Sequence, residues 1–352
     1  MKLDRQQVLK NLGLCARCRQ CRMVCEIPIA STMLPICPTG EYYKWDTYFA
    51  TGRITLAKKI LLDKIEYDDS ILESVYTCTL CGSCLQQCPI LNFNPMEANL
   101  ILRQIAVEKS IADKAYRMPD TTPITIDSCG NEAGNTALFV GSVAQSDEAT
   151  VKLISAVLSK AGVEHKYCAD IDAGEYLMRK GDIDAFEKLI AENITTFKAA
   201  GIKQLIAHDP LTYHVLKHNY RLHEHGVEVK FYLDLLTGKC AKKADGTKAA
   251  FHDNNYLGRA QGQYDLPRNI LTELGYEIVE MVRTRENAFS CCAYPDCQPE
   301  VAELSSAVVL GDAVEAGVTE LIAVCRNDAK QLAATAEKLG IRIKVSDIAN
   351  LL

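Results

Sequence analysis

No apolar run in this 352-residue chain approaches the roughly 18 residues that a membrane-spanning helix needs. The opening segment MKLDRQQVLK carries no apolar core of the kind an export signal requires. Basic residues are not interleaved with aromatics in a groove-like run, which argues against nucleic acid as a partner. No G-x-G-x-x-G follows an apolar strand-like run, so no dinucleotide cradle is indicated. These omissions lead to the expectation of a cytoplasmic protein with no membrane span of its own, one that reaches the inner face of a membrane only through partners. What the chain has in excess is cysteine, sixteen of them. Without an export signal, they read as metal ligands rather than as disulfides.

Eight of the cysteines fall in two runs of the same form. CARCRQCRMVC holds Cys15, Cys18, Cys21 and Cys25; CTLCGSCLQQCP holds Cys78, Cys81, Cys84 and Cys88. C-x2-C-x2-C-x3-C is the spacing by which one tight loop gives three thiolates to a [4Fe–4S] cube while the fourth cysteine serves a second cube. The expected ligand sets are therefore Cys15, Cys18, Cys21 and Cys88 for cluster 1, and Cys78, Cys81, Cys84 and Cys25 for cluster 2. Pro89 follows Cys88 directly, as the two-cluster run usually requires, but Cys25 is followed by Glu-Ile-Pro. Cys37-Pro38 nearby is a competing C-P pair, and Cys37 stands as the alternative fourth ligand. A zinc site would more usually show two C-x2-C pairs.

Charge is placed unevenly. The net charge is −6, yet residues 1–64 hold eleven Lys and Arg against five Asp and Glu, which leaves the remainder at −12. Arg17, Arg19 and Arg22 lie inside the first cysteine run. They could stabilise the reduced form of a negatively charged cluster, or form a docking patch for an acidic partner.

Apolar residues at helical spacing occupy 1–13, 53–76 and the stretch from Pro95 to about 113, so the cysteine loops should be carried on helices. Residues 117–136 are rich in Pro, Thr, Asn, Asp and Gly and read as a linker. Beyond them short apolar runs alternate with amphipathic helices. ALFVG (137–141), QLIAH (204–208) and VEVKFY (227–232) read as strands, and TYHVLKHNYRL (212–222) as a helix. That alternation implies α/β units with mostly parallel sheets.

The α/β unit recurs. FKAAGIKQLIAHDP (197–210) matches AVEAGVTELIAVCRN (313–327), HGVEVKFYLDLL (225–236) matches LGIRIKVSDIANLL (339–352), and LSKAGVEHK (158–166) matches LTELGYEIV (271–279). The expected architecture is α+β and multi-domain. A helical two-[4Fe–4S] ferredoxin-type domain (1–116) and a linker (117–136) precede two Rossmann-like modules, 137–240 and 248–352. The second module keeps Cys291, Cys292, Cys297 and Cys325, whereas the match sets Asp172-Ala173-Gly174 and Asp209 at the corresponding places in the first.

The chain resembles the iron–sulfur subunits related to heterodisulfide reductase, including those that partner flavin-dependent glycerol-3-phosphate, lactate and glycolate dehydrogenases. The segments that carry the likeness are CTLCGSCLQQCP, HDNNYLGR (252–259), YDLPRNIL (264–271), ENAFSCCA (286–293) and DIANLL (347–352). The resemblance implies two cysteine-rich repeats, each able to supply a lone Cys, a Cys-Cys-Gly and a Cys-x2-Cys. Here the first repeat has Ser142, Asp172-Ala173-Gly174, Asp209 and Thr212 at those places. The second has Asn255, Cys291-Cys292-Ala293, Cys325 and Asp328, with Cys297 as an extra thiol. A third [4Fe–4S] cluster, a zinc ion and a vestigial pocket of reduced thiols are the outcomes left open for Cys291, Cys292, Cys297 and Cys325.

His214 and His218 share a helix face at i, i+4, but no Glu accompanies them as in H-E-x-x-H, and metal binding there is not expected. Cys129, Cys168 and Cys240 read as structural. The leading functional reading is an electron-transfer subunit of an oxidoreductase complex. Its clusters would be wired to a flavoprotein, to another heterodisulfide-reductase-like subunit or to a membrane quinone-reactive partner. The rivals are a catalytic thiol or disulfide reductase and an assembly scaffold, and no catalytic residue is assigned.

Overall fold

A short helix, α1 (Arg5–Leu12), leads into the first cysteine run; its N-cap Asp4 accepts from the Gln7 amide, and Val8 and Leu12 are buried. The computed structural model describes residues 2–24, 34–119, 134–141, 148–169 and 171–352. Cys25, Cys129, Ser142 and most of the expected linker lie outside these described residues. Two short strands, β1 (Met23–Val24) and β2 (Leu34–Pro35), pair antiparallel. Helix α2 (Pro38–Tyr43) then starts on Pro38, with Cys37 as its N-cap.

The helix expected over 53–76 is two helices, α3 (Ala50–Leu61) and α4 (Asp69–Tyr76). Asp63 takes a left-handed φ of 52°, and Asp68 caps α4 by accepting from the Ser70 amide at 2.9 Å. A capping aspartate has outweighed an apolar period that continues across it. After α5 (Ser83–Gln86), helix α6 (Glu97–Glu108) closes a core of Leu12, Ile54, Ala57, Val75, Ile101 and Leu102.

Two four-stranded parallel sheets follow. The first joins β3 (Thr136–Phe139), β4 (Lys166–Cys168), β5 (Gln204–Ala207) and β6 (Glu228–Phe231) in the order β4-β3-β5-β6. The second joins β7 (Thr247–His252), β8 (Tyr276–Ile278), β9 (Glu320–Ala323) and β10 (Lys344–Asp347) in the same order, β8-β7-β9-β10. Helices α7 (Glu148–Lys160), α8 (Glu175–Lys180), α9 (Ile183–Ala199) and α10 (Pro210–His214) accompany the first sheet. Helices α11 (Asp265–Glu273), α12 (Pro299–Glu315) and α13 (Arg326–Leu339) accompany the second. The central strands β5 and β9 are almost wholly buried, as parallel strands covered on both faces must be. The helix expected over 212–222 covers only α10, which runs on into a π-helical turn, Val215–Asn219.

In both sheets the order reverses between the first and third strands, and the edge of such sheets at the strands' carboxyl ends is where α/β folds bind ligands. The modules also pack on the helical part. Tyr43 Oη donates to Gln298 Oε1 at 2.6 Å, Gln87 Nε2 to Asn287 Oδ1 at 2.6 Å, and Tyr76 Oη to the Lys180 carbonyl at 2.9 Å.

Candidate iron–sulfur centres

The two cysteine loops share an unusual backbone. In Cys15-Ala-Arg-Cys-Arg-Gln-Cys21, Arg17 and Arg19 have φ of 56° and 68°; in Cys78-Thr-Leu-Cys-Gly-Ser-Cys84, Leu80 and Gly82 have 55° and 79°. Left-handed φ is costly for Arg and Leu, so the same curl at matching positions is a constraint of the loop, not of side-chain preference. Such a curl turns three successive thiols toward one centre.

One cavity is lined by Cys78, Cys81 and Cys84 together with Cys37. Cys37 arrives there because β2 delivers the chain to α2, whose Pro38 starts the helix one residue later. Burial pushes the Cys37 thiol up to about 11, with the Arg53 guanidinium pulling the other way. Cys84 is held well above the ordinary thiol value by burial and by the Cys78, Cys81, Cys37 and Cys21 sulfurs. Burial would also raise Cys81, but Arg259 and hydrogen bonds from Ser83 and Thr79 bring it below the ordinary value. Asn99 lines the same cavity, buried, with neither amide atom hydrogen-bonded among the described residues. Four thiols and one unused amide donor around a single cavity are a donor set that fits a [4Fe–4S] cube.

The other centre is built across the two loops. Cys88 sits beside Cys18 and Cys15; burial raises its thiol first, and those two sulfurs raise it further. Cys21, pushed up to about 12 by burial, neighbours Cys37, Cys15 and Cys18. Cys21 and Cys37 thus stand between the two centres. The surroundings differ sharply. Ala16, Arg17, Cys18 and Arg19 are exposed, whereas at the matching positions Thr79 and Leu80 are buried and Cys81 and Gly82 half-buried. Arg22 is taken up internally: it pairs with Asp46, bonds Thr51 Oγ1 at 3.3 Å and lies 4.3 Å from the Phe49 ring centroid.

Arginines from three parts of the chain converge on the backbone of the second loop, a feature that the cysteine spacing does not announce. Arg103 on α6 donates to the Cys78 carbonyl at 2.5 Å, Arg179 on α8 to Thr79 at 3.3 Å, and Arg259 after β7 to Cys81 at 3.0 Å. Arg179 is wholly buried and paired with buried Asp296, Nε to Oδ2 at 2.7 Å. It also bonds Tyr256 Oη at 2.8 Å.

The four C-terminal cysteines face different surroundings. Cys291 donates to Asp328 Oδ1 at 3.2 Å. Cys292 bonds the Ser290 carbonyl at 3.4 Å; burial, with the Cys81 sulfur next, pushes it up to about 12. Cys297 lies 3.7 Å from Arg179 Nη2. Cys325 lines a cavity with His208, Asp209 and Asp347. The turn geometry also moves the match between the sheets by one residue. The Gly174 amide bonds Asp172 Oδ1 as the Cys292 amide bonds Ser290 Oγ, and Gly174 and Cys292 share a left-handed φ of 81° and 58°. Ala173 therefore corresponds to Cys291.

The remaining residues have local roles. Gln261 bridges His214 Nδ1 and His218 Nε2 at 3.0 and 2.9 Å. Cys168 ends β4 inside the core, and the Cys240 thiol bonds the Leu236 carbonyl at 3.6 Å.

Residues 10–92 match the 4Fe-4S dicluster domain family. The chain is 26% identical to a dihydromethanophenazine:CoB–CoM heterodisulfide reductase subunit of Methanosarcina acetivorans, over 97% of this chain and 93% of that one. It is also 26% identical to the EtfAB:quinone oxidoreductase of Syntrophomonas wolfei and to the probable iron-sulfur-binding oxidoreductase FadF of Bacillus subtilis, over 64% and 65% of this chain. It spans only 37% and 39% of the length of those two relatives. A solved structure of a hypothetical protein from Helicobacter pylori shares the fold, with a TM-score of 0.57 over 98% of this chain and 74% of that one, at 14% identity. This is an iron–sulfur protein with two [4Fe–4S] clusters, related to the heterodisulfide-reductase type of subunit. Among the described residues no helix is long and apolar enough to cross a membrane.

Proposed function

We propose that this chain is the electron-relay subunit of a heterodisulfide-reductase-like oxidoreductase complex, taking electrons from a flavoprotein and passing them toward a further acceptor such as a quinone. The clusters supply one-electron transfer, and the protein fixes their position, burial and docking. The observation that carries the reading is the contrast between the loops: Cys18 is exposed, while the loop of Cys78–Cys84 is covered and held by Arg179 and Arg259 from the two α/β modules. Exposed Arg17 and Arg19, with exposed Leu14 next to Cys15 and exposed Leu85 and Leu91 three residues to either side of Cys88, suit the docking of an acidic redox partner.

In this reading Cys15, Cys18, Cys21 and Cys88 hold cluster 1, and Cys78, Cys81, Cys84 and Cys37 hold cluster 2. Cys37 takes the place first given to Cys25, because it lines the cavity of the other three thiols. The helical domain covers about 1–116, and the two α/β modules are copies of one unit, on the support of their common strand order. Membrane contact, where it occurs, is peripheral and made through partners. The name of the Syntrophomonas relative, EtfAB:quinone oxidoreductase, supports a flavoprotein donor and a quinone acceptor.

The test is anaerobic mixing of the cluster-loaded chain with a reduced electron-transfer flavoprotein. Bleaching of the cluster absorbance, reversed by a soluble quinone, is the expected result. Failure of the flavoprotein to reduce the clusters, together with turnover of a thiol heterodisulfide by the chain alone, would replace this reading with a catalytic thiol reductase.

A further inference from the structure

Three side chains in the second α/β module meet at one point. His252 is the last residue of β7, Cys291 lies in the turn beyond β8, and Asp328 is in the first turn of α13. A ring nitrogen, the sulfur and a carboxylate oxygen of these residues all lie within 4.8 Å of one another. All three are buried, at 1%, 2% and 1% exposure. His252 is in register with Ala323 of β9, so the group sits where the strand order reverses, at the carboxyl edge of the sheet.

We propose that His252, Cys291 and Asp328 bind one divalent cation of zinc's chemistry, distinct from the two iron–sulfur clusters. Imidazole nitrogen, thiolate and carboxylate together form a mixed set that zinc accepts, whereas calcium and magnesium favour oxygen alone. Binding exchanges the Cys291 thiol proton for the cation, and no electron moves. Three protein ligands leave a fourth tetrahedral position open.

The residues around the group are arranged to hold it. Asn254 donates to Asp328 Oδ2 at 2.8 Å, while its own amide oxygen accepts from the Tyr256 and Leu257 amides at 2.8 and 3.3 Å. Its orientation is thereby fixed, and Asp328 Oδ1 is left facing the Cys291 sulfur. Ser290 Oγ donates to Asn255 Oδ1 at 3.2 Å and receives the Cys292 amide at 3.3 Å, which pins the turn carrying Cys291. Supporting hydrogen bonds of this sort orient metal ligands. Among the described residues the hydrogen bonds to the Asp328 carboxylate come from Asn254 and Cys291, neither a cation, and a buried carboxylate so placed is costly unless a positive charge joins it.

The first module serves as an internal control. Phe139 ends β3 as His252 ends β7, Ala173 precedes a left-handed residue as Cys291 does, and Thr212 follows the N-cap of α10 by three residues as Asp328 follows that of α13. None of these three offers the imidazole, thiolate or carboxylate of the second module. The site therefore belongs to the second module, and by claiming Cys291 it displaces a third cube.

The experiment is metal analysis of the full chain after anaerobic loading with iron and sulfide and then with zinc, combined with zinc K-edge absorption. One zinc beside about eight irons is expected, with one sulfur at about 2.3 Å and nitrogen or oxygen at about 2.0–2.2 Å. His252→Gln, Asp328→Asn and Cys291→Ser should each weaken zinc binding at least tenfold while keeping the iron. Cys297→Ser should keep both. The wild-type zinc shell decides the matter even if a variant misfolds. An all-sulfur shell, about twelve irons without zinc, or zinc retained by both His252→Gln and Asp328→Asn overturns the site.

Discussion

Arg259 Nε lies 3.0 Å from the carbonyl oxygen of Cys81, joining the second α/β module to the middle of the covered cysteine loop. The same side chain reaches the Ala288 carbonyl at 2.6 Å, so a positive charge is anchored between the loop and the segment leading to Cys291 and Cys292. Arg179 does the equivalent from the first module. The modules thus set fixed guanidinium groups against the backbone of the loop that carries Cys78, Cys81 and Cys84.

A fixed positive charge favours the more negative, reduced form of a cluster. Arg259→Gln should therefore move the midpoint potential of cluster 2 to a more negative value and leave that of cluster 1 in place. An EPR-monitored redox titration reads both. Equal shifts of the two signals would show that the charge acts through the whole fold.

Asp296 and Arg179 form a buried pair, 2% and 1% exposed. Asp296→Ala leaves the guanidinium buried without its partner, at a cost of about 3–5 kcal/mol. Anaerobic urea unfolding of the loaded chain, followed by tryptophan fluorescence and cluster absorbance, measures it. A midpoint equal to wild type would mean that Arg179 finds another partner.

Burial, with Asp172 next, raises the Glu175 carboxyl to about 8, and burial raises Asp209 to about 7. Both folded values lie above the unfolded ones, so the native state holds more protons and stability falls as pH rises from about 4 through 8. Glu175→Gln should flatten that decline and stabilise the protein at pH 9 relative to wild type, by roughly 1 kcal/mol or more. Unfolding midpoints at pH 5, 7 and 9 give the comparison.

Arg17 and Arg19 are exposed beside exposed Cys18. Replacing both with Glu should slow reduction by an acidic flavoprotein roughly tenfold or more at low ionic strength, with the difference shrinking in salt. Stopped-flow bleaching at two salt concentrations distinguishes this from a loss of cluster.

Much of the site was legible in the cysteine spacing. The curl of each C-x2-C-x2-C loop and the strand–helix alternation depend on residues close in the chain, where spacing constrains geometry directly. The approach of Cys88 to Cys15 and Cys18 spans about seventy residues and was readable only because paired runs of this form usually exchange their fourth cysteine. Cys37 was harder to rank, because fifteen residues separate it from Cys21 and its position depends on how β2 and α2 return the chain. The break between α3 and α4 had a local signal in Asp68 and Ser70, masked in the sequence by an apolar period that runs through it. The arginine contacts had none, since Arg103, Arg179 and Arg259 meet the loop only through tertiary packing. The His252, Cys291 and Asp328 group was hidden because cysteine spacing gives no signal for a mixed ligand set drawn from a strand end, a loop and a helix start.

The most direct test is the iron, sulfide and EPR signature of the full chain beside its Cys37→Ser and Cys25→Ser variants, all loaded anaerobically. The account predicts about eight irons and eight sulfides for wild type, with two reducible signals. It predicts that Cys37→Ser alters or removes the cluster-2 signal alone, and that Cys25→Ser leaves both signals intact. About four irons in the wild type, or loss of the cluster-2 signal in Cys25→Ser but not in Cys37→Ser, would contradict it.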